Sequence, residues 1–302
     1  MKSRVCDLLG IRYPIIQGVV GGKHIEIAAA VSKAGGLGTI HGMSAAQAPE
    51  GENRKDRIRG CIQEMRQLTN NPFSLNIVVR RATADDLVTT AIEEGVKIVQ
   101  TSAGDPGRFT SRLKEAHIKV LHVVANTAQA LKAAKAGVDV IVAAGVEGGG
   151  WQSHDEVTTF CLVPQVVDAL EGRIPVVAAG GIGDSRGLVA AFSLGAEGVQ
   201  LGTRFLASIE ASIDKGWEES ILRAHDNNTE ITNRGDDTAR NFKMDFLEEV
   251  RPRFNRPKAG PTGGAGQVSG MIKEILSVEE IMRRLTRGVN EVLTRLNKNF
   301  VL

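Results

Sequence analysis

Eight short runs rich in Val, Ile and Leu, at residues 14–19, 37–40, 73–79, 97–101, 119–124, 138–143, 175–179 and 198–201, alternate with longer stretches carrying Ala, Glu and Lys. That alternation is the pattern of repeated βα units. The intervening stretches 83–94, 128–135 and 185–194 are amphipathic, and each closes on Glu-Gly, Ala-Gly or Leu-Gly, where glycine supplies a left-handed helix cap. The runs "VDVIVAA" and "IPVVAA" are continuously apolar, as strands covered on both faces should be. Eight is the number of strands that a closed parallel barrel needs, and 302 residues accommodate such a barrel plus an extension. A doubly wound open sheet shares the pattern, so spacing alone gives the barrel only a small preference.

Beyond the eighth run the chain changes character. Residues 208–253 are charged and helical in pattern, "RPRFNRPKAGPTGGAGQVSG" then breaks all periodicity, and 271–296 returns to helix. The expected organisation is a (β/α)8 barrel over 1–207 and a helical lid with closing helices over 208–302. The Pro- and Gly-rich segment would be a mobile loop or lid hinge, or else a plain surface connection.

Lys and Arg number 37 against 35 Asp and Glu and are spread along the chain, which argues against a binder of nucleic acid. Cys6, Cys61 and Cys161 are odd in number and lack metal-ligand spacing, so neither a disulfide framework nor a zinc site is indicated, and a reducing cytoplasm is the expected compartment. The first residues lack a signal-peptide core and no run of about 20 apolar residues follows, so a soluble protein without a membrane partner is expected.

Two glycine-bearing segments stand where strands hand over to helices: "VVAAGGIGDSRG" after the seventh run and "GVQLGTRF" at the eighth. In a barrel, the loops after strands seven and eight, backed by a helix N-terminus, commonly form a phosphate site. Glycine lets an anion approach the backbone N–H groups, and the helix dipole favours its charge. The expected phosphate contacts are Gly180, Gly181, Gly202 and Thr203. The phosphate could belong to FMN, a sugar phosphate or a nucleotide, and glycines that serve only tight turns are the plainer alternative.

These segments, with "YPIIQG", "AGGLGTI", "NPFSLNIVV" and "AGVDVIVAAGVEGGG", make the chain similar to the FMN-dependent nitronate monooxygenases, formerly called 2-nitropropane dioxygenases, over nearly its whole length. That family also contains flavin-dependent enoyl-acyl carrier protein reductases. The resemblance implies a TIM (β/α)8 barrel with FMN at its mouth and NAD(P)H as a potential reductant. It further implies contacts from the Gln17 and Gly18 backbone, from the Asn76 side chain, and from Gly149, Gly150 and Ala179. Asn76 also has a physical reason to face a flavin, because its amide both donates and accepts; a structural hydrogen bond would satisfy it equally.

The family's motif after the sixth strand reads Glu-Ala-Gly-Gly-His, with the histidine as catalytic acid or base. Here the sequence reads "VEGGGWQSHDEVTT", and Trp151 stands in that position. Indole donates a hydrogen bond but takes no proton near neutral pH. His154 is the nearest imidazole and the candidate substitute, with a solvent-facing role beside Asp155 and Glu156 as the alternative. His24 and His41, after the first and second strands, are secondary candidates, and Glu147 either binds substrate or caps a turn.

A neutral nitroalkane must lose a proton before oxidation, whereas an alkyl nitronate is already the anion. Loss of the histidine therefore favours an oxidase of alkyl nitronates, using O2 through a flavin semiquinone as the resemblance implies. The alternatives are NAD(P)H-dependent reduction of enoyl-thioesters on ACP or CoA, or of quinones, and then a phosphate-binding barrel without flavin or a degenerate binding protein. The expected partner is a small molecule, with a homodimer left open.

Overall fold

The computed structural model describes residues 1–21, 24–234, 237–250 and 264–299. The first part of the chain runs α1 (Arg4–Leu9), β1 (Ile15–Gln17), α2 (His24–Lys33), β2 (Gly38–Ile40), α3 (Gly42–Ala45), α4 (Arg54–Leu68), β3 (Phe73–Val78), α5 (Ala84–Glu93), β4 (Ile98–Ser102), α6 (Gly107–Glu115), β5 (Lys119–Val124) and α7 (Thr127–Lys135). It continues with β6 (Val140–Ala144), β7 (Gly150–Gln152), α8 (Thr159–Leu170), β8 (Val176–Ala179), α9 (Ser185–Ser193), β9 (Gly198–Leu201) and α10 (Thr203–Leu206). The extension carries α11 (Lys215–Arg223), β10 (Thr229–Arg234), β11 (Asp237–Phe242), α12 (Met244–Val250), a 3-10 turn (Gln267–Met271) and α13 (Val278–Asn299).

Eight parallel strands form one sheet in the order β1-β9-β8-β6-β5-β4-β3-β2. The ring closes where Ile16 bridges Leu37: Leu37 N donates to the Ile15 carbonyl and Gln17 N to the Leu37 carbonyl. Each barrel strand falls on one of the eight apolar runs, and Gly95, Gly137 and Gly195 take the positive φ of a helix cap.

The N-terminal end of the barrel is filled. Val5, Leu9 and Ile11 pack with the inward-facing Ile16, Leu37, Ile98, Leu121, Val140, Val142 and Val177 into one apolar plug. The free opening is therefore the C-terminal end, where barrel chemistry is placed. A larger core fills the space between the strands and the helical ring, and α13 belongs to it through Val278, Ile281, Met282 and Leu285.

The extension differs from its expected pattern. The stretch 208–253 is not helical throughout: β10 and β11 form an antiparallel hairpin between α11 and α12, and β11 pairs with β7, so that a three-stranded sheet β10-β11-β7 stands apart from the barrel. Residues 251–263, most of the segment expected to be a mobile loop or hinge, lie outside the described residues. No helix among the described residues is long and apolar enough to cross a membrane.

Candidate functional site

The strand ends open into a cavity of about 800 Å³. Its floor is polar. Asn76 on β3 stands in register with Gln100 on β4, and Gln200 on β9 reaches across. Gln100 Nε2 donates to Gln200 Oε1 at 2.8 Å, and Asn76 Nδ2 donates to the Gln100 carbonyl at 3.3 Å. Asn76 Oδ1 and Gln100 Oε1 are buried with no partner among the described residues. A buried acceptor left unpaired costs about 1–3 kcal/mol, so two in adjacent strands at the mouth of a cavity call for a ligand that donates. Asn76 was readable in the sequence. Gln100 and Gln200 carry the same signal, an amide inside an apolar strand, and the structure adds them to the floor.

Gln17 carries that signal too, yet it does not line the cavity. Thr39 N donates to its Oε1 at 3.1 Å, its Nε2 donates to the Thr39 carbonyl, and its own carbonyl accepts from Thr39 Oγ1 at 2.8 Å. Its backbone N–H donates to the Leu37 carbonyl, so Gln17 seals the β1–β2 seam. Gly18, the next residue, does reach the lining.

Ala179, Gly180 and Gly181 form the opposite rim, continued by Gly202 and Thr203. Gly180 has φ +94°, and a Cβ there would stand 2.7 Å from the Gly145 carbonyl oxygen, so no other residue fits. Thr203 Oγ1 accepts from Gly266 N at 3.0 Å and keeps its own proton to give to an anion. Of the helices that start behind this rim, α9 is already capped: Asp184 accepts from its first amides, at 2.9 Å from Arg186 N, which leaves the β8 loop and the short α10 to meet an anion.

The roof comes from the β6–α8 loop and the extension. Gly149 and Gly150 line the cavity beneath Gly264 and Gly266, so closely that a Cβ on Gly264 would fall 2.2 Å from Gly150 N. Trp151 pairs with Ala239 of β11, and its ring lies under the guanidinium groups of Arg81, at 4.8 Å, and Arg80, at 5.2 Å. His154 is exposed at the rim, its Nδ1 3.0 Å from Thr238 Oγ1. Glu147 is a cap: its carboxylate accepts from Thr159 N and Thr159 Oγ1 at the start of α8. His41 is half-buried in the wall, where burial and then neighbouring His24 push its pKa down to about 4. The His24 pKa is likewise lowered by burial, but His24 is not part of the lining.

The family model for nitronate monooxygenases matches residues 2–262. The chain belongs to the nitronate monooxygenase family. A probable nitronate monooxygenase of Staphylococcus saprophyticus is 31% identical, covering 98% of this chain and 99% of that one. One of Staphylococcus aureus is 34% identical over 82% and 80% of the two chains. Among solved structures, FabK from Thermotoga maritima superposes with a TM-score of 0.87 at 36% identity, covering 99% of this chain and 100% of that one. A nitroalkane oxidase from Streptomyces ansochromogenes, at 24% identity and a TM-score of 0.80, shares the fold.

Within this nitronate monooxygenase-family barrel Trp151, expected to stand in place of the family's histidine, is held from two sides. Trp151 is clamped between β11 and two arginines, a wall rather than an acid or base. His154 and Trp151 both reach the cavity, as do all the expected cofactor contacts except Gln17. The protein is an oxidoreductase of this family, and its site offers a floor of amides and a glycine rim in one enclosure.

Proposed function

We propose that this chain holds FMN in the barrel mouth, with residues 208–302 as the lid over barrel 1–207, and oxidises alkyl nitronates with O2. The observation that carries the reading is the pair of unpartnered acceptors, Asn76 Oδ1 and Gln100 Oε1, in the same cavity as the Gly180–Gly181 and Gly202–Thr203 rim. A flavin pyrimidine edge both donates and accepts, which suits amide side chains, and the glycine rim with the Thr203 hydroxyl suits the phosphate. Gly18, Gly149, Gly150 and Ala179 would then flank the cofactor. FMN supplies the electron acceptor that no side chain here can be.

One feature favours a nitronate. Trp151 withholds the base that a neutral nitroalkane would need, and a nitronate does not need it. The 36% identity with FabK over nearly the whole of both chains supports a second reading, reduction of an enoyl-thioester with NAD(P)H.

The visible spectrum of the purified protein, followed by separate anaerobic additions of ethyl nitronate and NADPH, tests both. A flavin spectrum bleached by nitronate and unmoved by NADPH supports the proposal, and bleaching by NADPH alone transfers it to the reductase. A colourless protein that takes up no added FMN overturns the flavin reading.

A further inference from the structure

His41 follows β2 as the residue before α3, yet its side chain makes no helix-capping bond. Its depth is set by its neighbour. Gly42 presses on β3 so closely that a Cβ there would lie 1.9 Å from the Asn76 carbonyl oxygen, which places His41 beside the amide floor. The ring lines the same cavity as Gly18, Asn76 and Trp151.

One contact ties its tautomer to a neighbour. Nδ1 is 2.8 Å from Ser44 Oγ. Either partner can donate across this contact; with the Ser44 hydroxyl as donor, Nδ1 accepts and the ring proton of a neutral His41 resides on Nε2. Burial and the edge-on His24 ring, 6.3 Å away between centroids, oppose a second proton. In that tautomer the wall presents an uncharged N–H donor. Such a donor stabilises developing or resident negative charge without itself changing protonation state. By contrast, His154 is exposed at the rim against Thr238.

We propose that His41, through its Nε2–H, is the hydrogen-bond donor that holds the oxyanion of the substrate beside the flavin. The proposal rests on the flavin reading for the identity of its neighbour. The ligand class is a small planar oxyanion, such as a nitronate or an enolate oxygen.

Nitrate, planar and not oxidisable, is the probe. In the FMN-loaded protein, nitrate binding read from the flavin absorbance should weaken roughly 10- to 100-fold in His41→Ala, the loss expected for one hydrogen bond to a charged group, with FMN stoichiometry unchanged. His41→Gln keeps an N–H donor and should lose less than His41→Ala. The KM for ethyl nitronate should rise in the same order, with a smaller change in kcat. Unchanged nitrate affinity in His41→Ala with FMN retained overturns the proposal. Long-range ¹H–¹⁵N spectra of the unloaded protein, assigned with His41→Gln, read the ring independently of flavin. A protonated Nε2 that shifts on adding nitrate supports the donor role even if FMN fails to bind. A ring protonated on Nδ1, or one that does not respond to nitrate, overturns it.

Discussion

Asn76 Oδ1 has no partner among the described residues, so on the flavin reading it weakens the fold in order to serve a ligand. Asn76→Leu should accordingly separate stability from binding. In urea unfolding the flavin-free variant should be as stable as the parent or more so by about 1 kcal/mol, while FMN affinity falls roughly tenfold. Loss of stability together with binding would make Asn76 a structural residue. Trp151 supports a complementary gain. Trp151→His places an acid–base group against the cavity, and oxygen uptake with neutral nitroethane should increase by about 10²-fold relative to uptake with ethyl nitronate, at the low end of what a positioned base contributes. No gain would show that position 151 is not where the substrate carbon lies. The strand amides show what a sequence can say at this scale. An amide in an apolar strand announces that it needs a partner, and Asn76, Gln100, Gln200 and Gln17 all do so. It does not say who the partner is, and only the β1–β2 seam reveals that Gln17 spends its groups on Thr39.

Elements buried on both faces were legible because continuous Val, Ile and Leu runs leave few alternatives, and all eight barrel strands lie on such runs. The hairpin β10–β11 was not, and the reason is how it is covered. On β11 the consecutive residues Thr238, Ala239, Arg240, Asn241 and Phe242 are all buried, polar and apolar alike, so the alternation of apolar and polar residues that marks a half-buried strand is missing. What replaces apolar packing is a network around Arg240, whose Nε donates to the Val146 carbonyl at 2.7 Å and whose Nη1 donates to Thr229 Oγ1 at 3.2 Å. That side chain ties both hairpin strands to the loop carrying Trp151. Arg240→Met keeps the length and removes the donors, leaving the Val146 carbonyl without this bond. Backbone hydrogen exchange at residues 150–152 and 238–240 should quicken by roughly 10-fold or more, in line with about 1–3 kcal/mol of lost local stability, while barrel strands keep their protection. The KM for nitronate should rise with it. Uniform acceleration across the chain would instead make Arg240 a determinant of global stability.

At the level of the whole molecule the barrel separates its tasks by end: an apolar plug under α1 at one, amides and glycines at the other. His122, on β5, belongs to neither. It is 3% exposed, with Nδ1 2.8 Å from Thr101 Oγ1, and burial holds its pKa down to about 4 against a smaller opposing pull from Asp105. The folded protein therefore keeps this ring neutral where an unfolded chain, with a histidine pKa near 6.5, would protonate it. Because the unfolded state binds more protons between these values, stability is full above about pH 6.5 and is lost as pH falls towards 4. Between pH 7 and pH 5 this one site should remove about 2 kcal/mol from the free energy of unfolding. His122→Gln keeps a polar partner for Thr101 and cannot titrate. Urea unfolding of parent and variant at both pH values checks the assignment: the variant should lose about 2 kcal/mol less than the parent on acidification. Equal losses would mean that the acid sensitivity of the fold resides elsewhere, with the half-buried His41 the next group to replace.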